Sequence, residues 1–447
     1  MTNGSTHQVV ILGAGFGGIA AAKVLANQPV VVTLVDQRNY HTFQPLLYEV
    51  ATAGLEAGDV AYPVRAIVGR APNIHFRLGT VTGIQRQERV VCFAERGLGH
   101  IANSEPCVND LPFDSLIVSS GAVANFFGIP GAEEFAHPLY TLDDARNLRN
   151  HILLCLEEAD GQRAHASDGT LNFVIVGGGP TGVESAGAIT ELLDMAIARD
   201  GFRFDRSKAR VVLIDGQDHL LAPFLRSARN YAMSTLRNRR VEVRLGEMVS
   251  SIGPGSIELA DGTVIPTRTA IWAGGVTVLG TVASTFGAVS CRNGRLRVDH
   301  SLRVPGAEAI FAIGDAAEMR VSPDSDDVCP QLAQVAIQSG RHAGAQVLAL
   351  VDGIPTAPFF FDDRGMMATI GRRAAVAQLP RGPILKGTLG WLAWFALHLV
   401  YLVGFRNRLV VLVNWTWRYL SWTSGPRVIV GLRGSNFDSN GSLPVRK

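Results

Sequence analysis

The residues of this chain that could do chemistry fall into three groups. Gly13, Gly15 and Gly18 stand in the order G-x-G-x-x-G, and Gly177, Gly179 and Gly182 repeat it. In such a turn the first glycine permits the tight bend. The second lets a pyrophosphate approach the backbone, and the third lets the following helix pack closely on the strand. The free N–H groups and partial positive charge of the helix N-terminus attract the phosphates. An acid closes the strand after each motif, Asp36 in the first copy and Asp215 in the second, where a carboxylate accepts the ribose hydroxyls. A 2′-phosphate on a dinucleotide at the second site would meet the charge of Asp215. The third group lies late in the chain. Asp315, in AIFAIGDAAE, can accept from a polyol hydroxyl or serve only as a helix cap. Gln334 and Gln338 share one face of a helix read over 331–350, where they hydrogen-bond a ligand's carbonyls or are merely solvated.

The elements that must position these residues follow from the apolar pattern. Residues 9–12 are a buried strand running into Gly13, and a helix and a second strand lead to Asp36. The piece 43–53 reads as a loop entering a helix, with Pro45 near its start. Residues 74–118 alternate as short strands, ending in a buried strand before Gly121. A helix is expected over 141–156, with Thr141 as N-cap and Asp143 and Asp144 in its first turn. Residues 160–169 read as a linker. The βαβ pattern then recurs from Asn172 to Asp215, its second strand delayed by the insert ARDGFRFDRSKAR. This internal duplication implies two nucleotide sites, and TAIWAGG after the second echoes SLIVSSG after the first.

Composition narrows the class. At 447 residues the chain has room for two or three domains. A net charge of +2 gives no sign of a nucleic-acid partner. Cys92, Cys107, Cys155, Cys291 and Cys329 are scattered, with no metal spacing and no disulfide framework, which suits a reducing compartment. The N-terminus shows no signal region. The mean hydropathy of +0.18 is high for a soluble enzyme, and the C-terminus explains part of it. Residues 387–405 carry no formal charge apart from His398, and 409–422 are rich in Trp. His398 in the middle and the scattered aromatics favour helices lying in a lipid interface, with Arg406, Arg408 and Arg418 facing phosphates. A spanning helix and a buried core or dimer helix are the alternatives.

The whole chain, from about residue 8 to about 425, resembles the type II NADH dehydrogenases, the non-proton-pumping NADH:quinone oxidoreductases. The resemblance is carried by both glycine motifs, YHTFQPLLYEVATAG, GGGPTGVE, AIFAIGDAAE, AQVAIQ at 333–338 and the apolar tail, in the family's order. It implies an α/β fold of two Rossmann-like dinucleotide-binding domains, glutathione-reductase-like, plus a C-terminal amphipathic helical membrane anchor. The expected domains are 7–145 and 286–380 for FAD, 146–285 for NADH, and 381–447 for the anchor and a disordered tail. Non-covalent FAD would then use Gly13, Gly15, Phe16, Gly17, Gly18, Asp36, Gln37, Thr52, Gly121, Gly314, Asp315, Ala333 and Gln334. NADH would use Gly177, Gly179, Pro180, Thr181, Gly182, Glu184, Asp215 and Gly274. Glu184 would sit near the nicotinamide and flavin, although by residue type alone it reads as an exposed helix glutamate. Gln334 and Gln338 would lie near the quinone headgroup. Glu184, Gln334 and Gln338 are thus the expected catalytic residues. The tail (387–422) would hold the enzyme on the cytoplasmic face of the membrane, and truncation before Gly387 is expected to release a soluble flavoprotein. A homodimer stays open. SSG (119–121) stands where relatives often have A-T-G.

Three other classes compete. A disulfide reductase needs a cysteine pair after the first unit, and 40–70 holds none. A sulfide:quinone oxidoreductase needs reactive cysteines beside the flavin, and Cys329 leaves that reading open. An NADH-sensing flavoprotein that signals through conformation is the third.

Overall fold

Strands Ser115–Val118 and Asn172–Val176 are buried along their whole length, as expected for parallel strands covered on both faces. Each sits in a different sheet. The structure, a computed structural model, describes residues 6–95, 108–161, 168–286, 291, 293–421 and 427–430. Most of the expected linker and the expected disordered tail lie outside these residues.

The chain divides into two units, and their boundaries differ from the expected domains. The first unit is Met1–Thr42, Ala61–Val123 and Val276–Arg364; the second is Phe43–Val60, Ala124–Gly275 and Gly365–Lys447. The block 43–60, the stretch 124–145 and the segment 365–380 therefore belong with the second glycine motif, and so does the tail.

In the first unit an eight-stranded sheet runs Arg303–Val304, Ala307–Ala312, Ser115–Val118, His7–Leu12, Val30–Asp36, Ile74–Gln85, Val90–Glu95, Val108–Pro112. The pairings from Ala307–Ala312 through Ile74–Gln85 are parallel, with Leu12 opposite Val35 and Val118. The last three strands turn antiparallel. Helix Ala333–Val351 packs against helix Phe16–Leu25. A Cβ on Gly340 would run into the Gly17 backbone, and one on Gly344 would sit 3.1 Å from the Ala21 carbonyl oxygen, so glycine sets how closely the two helices approach.

In the second unit a five-stranded parallel sheet runs Ala136–Pro138, Thr269–Trp272, Asn172–Val176, Arg210–Asp215, Val241–Leu245. Helix Leu142–Asp160 opens with the expected Thr141 cap: Thr141 Oγ1 accepts from Asp144 N (3.1 Å), and Asp144 Oδ2 accepts from Thr141 N (2.7 Å). Helix Pro180–Arg199 packs on strand Met366–Gly371, the first of an antiparallel trio completed by Ala374–Gln378 and Ile384–Lys386. The tail forms helices Gly387–Tyr401 and Phe405–Ser421. Trp394 and Trp415 are each only 1% exposed. These helices are therefore integral to the second unit, and truncation before Gly387 would remove core side chains rather than an appendage. No helix among the described residues is long and apolar enough to cross a membrane.

Candidate functional site

The two glycine turns are built alike, bond for bond. Gly13 N donates to Val35 O (2.7 Å) and Gly177 N to Ile214 O (2.8 Å), tying each turn to the neighbouring strand. Both glycines have positive φ, +99° and +114°. A Cβ on Gly13 would collide with the Ser119 carbonyl, and one on Gly177 with the Ala273 carbonyl. A Cβ on Gly18 or Gly182 would collide with the carbonyl oxygen of Gly13 or Gly177. By contrast, Gly15 and Gly179 face open space, where an added Cβ would meet nothing within 4 Å. That is where a phosphate approaches. Each is the N-cap of its helix, and neither gives the helix a side-chain cap. The first N–H groups of both helices thus await an acceptor.

The two aspartates also match. Asp36 Oδ2 accepts from Ala14 N (2.6 Å) and Oδ1 from Arg38 N (2.7 Å). Asp215 Oδ2 accepts from Gly178 N, and Oδ1 from Gln217 N (2.7 Å). Each carboxylate first braces its own turn, a role that the sequence pattern does not show. Each oxygen keeps lone-pair capacity for a ribose hydroxyl. Burial pushes the Asp36 carboxyl up, against the two N–H groups that lower it.

The surroundings of the first turn hold further polar groups. Phe16 lies edge-on to His41 at 4.8 Å, and His41 Nδ1 bonds the Ala14 carbonyl at 3.0 Å. Ser120 Oγ is buried without a hydrogen-bond partner among the described residues. Gly121 and Gly314 both adopt positive φ. Asp315 sits in the 3-10 segment Gly314–Ala316, so the helix it starts is a single turn. Gly17 lies against Ile313 and the Ala336 carbonyl, which brings the 313–316 turn and the start of helix Ala333–Val351 to the first glycine motif. Ala333 is the first residue of that uncapped helix. Gln37 is exposed beyond Asp36. Thr52 falls in the second unit, buried, its hydroxyl donating to the Tyr48 carbonyl at 2.8 Å.

Gln334 and Gln338 do share a face, but both are engaged by their own chain. Gln338 Oε1 accepts from Asp362 N and its Nε2 donates to Asp362 O, each at 2.9 Å. Gln334 Oε1 accepts from Arg364 N at 3.0 Å. The glutamines therefore pin residues 362–364. The Gln338 bonds use one of its two N–H groups and one oxygen lone pair, leaving the others for a ligand.

Around the second turn, Pro180 starts the helix and Thr181 is exposed. Glu184 is buried rather than exposed, at 8%. Its Oε1 accepts from Thr369 N at 3.2 Å. Burial pushes its carboxyl up to about 8; the Thr369 N–H opposes this and the charge of Glu49 adds to it. Glu49 is itself buried and accepts from Tyr48 Oη at 3.4 Å. Nearby in the tail, Trp394 stacks on His398 at 4.3 Å, and burial lowers the imidazole to about 4, so His398 adds no charge to the apolar stretch.

The comparisons with known proteins agree with this geometry. Residues 7–340 match the family described as pyridine nucleotide-disulphide oxidoreductase, and residues 364–421 match the NDH2 C-terminal domain. The chain is 36% identical over 435 residues to a type II NADH:quinone oxidoreductase of Mycobacterium tuberculosis, covering 95% of this chain and 90% of that one. The chain belongs to the type II NADH:quinone oxidoreductase family. It is also 30% identical to an internal alternative NAD(P)H-ubiquinone oxidoreductase of Arabidopsis thaliana, covering 92% of this chain and 84% of that one. A solved NDH2 of Plasmodium falciparum in complex with NADH shares the fold at a TM-score of 0.85 and 19% identity, covering 95% of this chain and all of that one. The Aquifex aeolicus sulfide:quinone oxidoreductase is less similar in fold, with a TM-score of 0.67 and 18% identity over 93% of this chain and 96% of that one.

The rival sulfide:quinone chemistry needs an ionisable thiol. Cys329 is 3% exposed, and burial pushes its thiol up to about 11, the opposite of a reactive cysteine. His41, beside the first turn, Glu49, beside Glu184 in the second unit, and Ser120, beside the first turn, come into view in the structure without having been singled out by residue type. The first two lie inside the motif YHTFQPLLYEVATAG, so their signal is present as position in the motif rather than as chemistry.

Proposed function

We propose that this chain is a membrane-associated flavoenzyme that oxidises NADH and reduces a quinone without pumping protons, with FAD held non-covalently on the first unit and NADH bound on the second. The observation that carries this reading is the duplicated turn, with open space at Gly15 and Gly179, an uncapped helix start and a braced aspartate in each copy. The first copy fits a resident flavin dinucleotide better than the second. Among the described residues, the 313–316 turn and the start of helix Ala333–Val351 lie around it.

Bound flavin would supply reversible two-electron chemistry between a hydride donor and a quinone. The rest falls to the protein. The N-terminus of helix Phe16–Leu25 holds a pyrophosphate, Asp36 takes the adenosine ribose, and Asp315 accepts from the polyol chain. Pro180–Arg199 offers its own N-terminus to the NADH pyrophosphate, and the charge of Asp215 disfavours a 2′-phosphate. Glu184 keeps a proton on its carboxyl near neutral pH. The spare N–H of Gln338 positions a quinone carbonyl. Accordingly, Gln338→Leu is expected to lower quinone-dependent turnover about tenfold, the worth of one hydrogen bond to a buried acceptor. Flavin reduction by NADH, followed separately by stopped flow, should change less than about twofold, since no direct contact is lost there. An equal fall in both rates would remove Gln338 from the quinone side.

The tail suits a lipid surface. Leu389, Leu392, Val400, Phe405, Leu409 and Val413 are exposed on the two tail helices, with Arg406 and Arg408 exposed among them. Arg408 Nε also donates to the Leu402 carbonyl at 2.7 Å, closing the first helix. Arg418 lies among residues whose side chains are not described. We place this surface on the cytoplasmic face, where NADH is available and Cys92, Cys155, Cys291 and Cys329 remain free thiols. Leu389→Asp, Phe405→Asp and Leu409→Asp together should move the protein from the membrane pellet to the supernatant in a sedimentation assay while it keeps its flavin. Retention in the pellet would put the anchor elsewhere. The function itself is tested by NADH oxidation with and without added quinone; the absence of a quinone-dependent rate overturns it.

A further inference from the structure

One aromatic side chain next to the second turn is built at odds with ordinary packing. Phe127 is 62% exposed, and its backbone sits at φ +52°, in the left-handed region that a bulky side chain avoids. The conformation is held from several sides. Phe127 N donates to Asn125 Oδ1 at 2.9 Å, Asn125 N donates to Gly275 O at 3.0 Å, and Trp272 Nε1 donates to Asn125 O at 2.8 Å. The ring leans towards the Trp272 indole, with centroids 6.4 Å apart. A Cβ added to Gly275, which has φ +141°, would lie 3.2 Å from Phe127 Cζ. The next glycine back, Gly274, lies against the glycine turn itself, 2.9 Å from a Cβ placed on Gly177. Gly177, Gly274, Gly275 and Phe127 thus form one continuous rim at the carboxyl ends of the parallel strands.

The strand order says which half of a dinucleotide meets this rim. Strand Arg210–Asp215 flanks Asn172–Val176 on one side and Thr269–Trp272 flanks it on the other. With the pyrophosphate at the glycine turn and the adenosine ribose at Asp215, the nicotinamide half must extend towards Gly274 and Gly275. We infer that Phe127 is a binding residue for the nicotinamide ring of NADH, its own ring covering that base across the Gly274–Gly275 bend. This inference rests on the assignment of NADH to the second unit. A strained backbone that presents an aromatic ring to solvent is costly in the free protein, and such outliers cluster at ligand clamps. A residue kept there only for packing would be buried, and glycine would fit the backbone without strain.

The test uses the flavin-loaded, full-length protein with Phe127→Gly and Phe127→Tyr. Three quantities are measured: the apparent NADH Kd from rapid flavin reduction, the Kd of ADP-ribose by calorimetry, and the thermal midpoint. ADP-ribose keeps the adenosine half, the pyrophosphate and the second ribose, and lacks only the nicotinamide ring. The expected result for Phe127→Gly is an NADH Kd weakened about tenfold, as for loss of one ring–base stack, with ADP-ribose changed less than about twofold. Its thermal midpoint should stay level or rise, because the left-handed strain is relieved. Phe127→Tyr should keep the wild-type NADH Kd. An unchanged NADH Kd in Phe127→Gly, equal weakening of NADH and ADP-ribose, or a midpoint that falls with affinity would each overturn the inference. A wild-type flavin that NADH does not reduce would instead overturn the functional assignment on which it rests.

Discussion

Gly18→Ala is expected to yield a colourless protein, and Gly182→Ala a yellow one that NADH no longer bleaches. The two substitutions add the same methyl at equivalent points of the duplicated turn. In each case the new Cβ falls inside contact distance of a fixed carbonyl oxygen, Gly13 O or Gly177 O. Neither carbonyl can retreat freely, because each first glycine is tied to the adjacent strand through Gly13 N–Val35 O or Gly177 N–Ile214 O. The helix must therefore shift away from the strand, and its N-terminal N–H groups lose their aim at the phosphates. Loss of that interaction is expected to weaken dinucleotide binding by roughly a hundredfold or more, the scale of two charge-assisted hydrogen bonds. Absorption spectra of the purified variants read both outcomes. If Gly182→Ala also came out colourless, or Gly18→Ala stayed yellow, the allotment of flavin to the first turn and NADH to the second would be wrong.

Glu184→Gln should stabilise the protein at alkaline pH and leave it unchanged in acid. The carboxyl of Glu184 titrates at about 8 in the folded chain, above the 4.5 of an unburied glutamate, chiefly because of burial. Below that lower value the group is protonated in both states and has no effect on the balance. As pH rises from there towards 8, the unfolded chain releases the proton and the folded chain retains it, so folding stability falls. Above 8 the folded chain carries a buried charge. The amide of the variant would keep an oxygen for the Thr369 N–H without titrating. The stability gap between variant and wild type should thus open between about pH 5 and pH 8 and level off beyond, on the order of a few kcal/mol at about pH 9, with the thermal midpoints diverging in step. Melting curves at about pH 5, 7 and 9, spanning that window, measure it. Parallel behaviour of the two proteins across that range would mean that Glu184 is not held protonated.

Much of the site is legible in the sequence because backbone geometry there depends on residue type. The positive φ of Gly13 and Gly177 and the close approaches at Gly18 and Gly182 exclude side chains, so the spacing of the glycines reports the turn directly. The Thr141 cap is readable for the same local reason. What is not legible depends on where distant segments fold. Glu184 reads as an exposed helix glutamate until strand Met366–Gly371 covers it. The tail reads as a surface anchor, yet Trp394 and Trp415 are core residues of the second unit. A high content of apolar residues cannot say which of them face a protein neighbour and which a lipid. Likewise, the shared face of Gln334 and Gln338 follows from helical spacing, but their grip on residues 362–364 joins positions far apart in the chain. The division of 43–60 from its sequence neighbours is of the same kind.

The central claim is that one chain carries electrons from NADH to a quinone through a resident flavin. An anaerobic absorption titration of the purified protein tests it most directly. Adding NADH should bleach the flavin bands, and a subsequent equivalent of quinone should restore them with NAD⁺ already released or still bound. Bands that NADH leaves intact, or that stay bleached when quinone is added, would contradict the account.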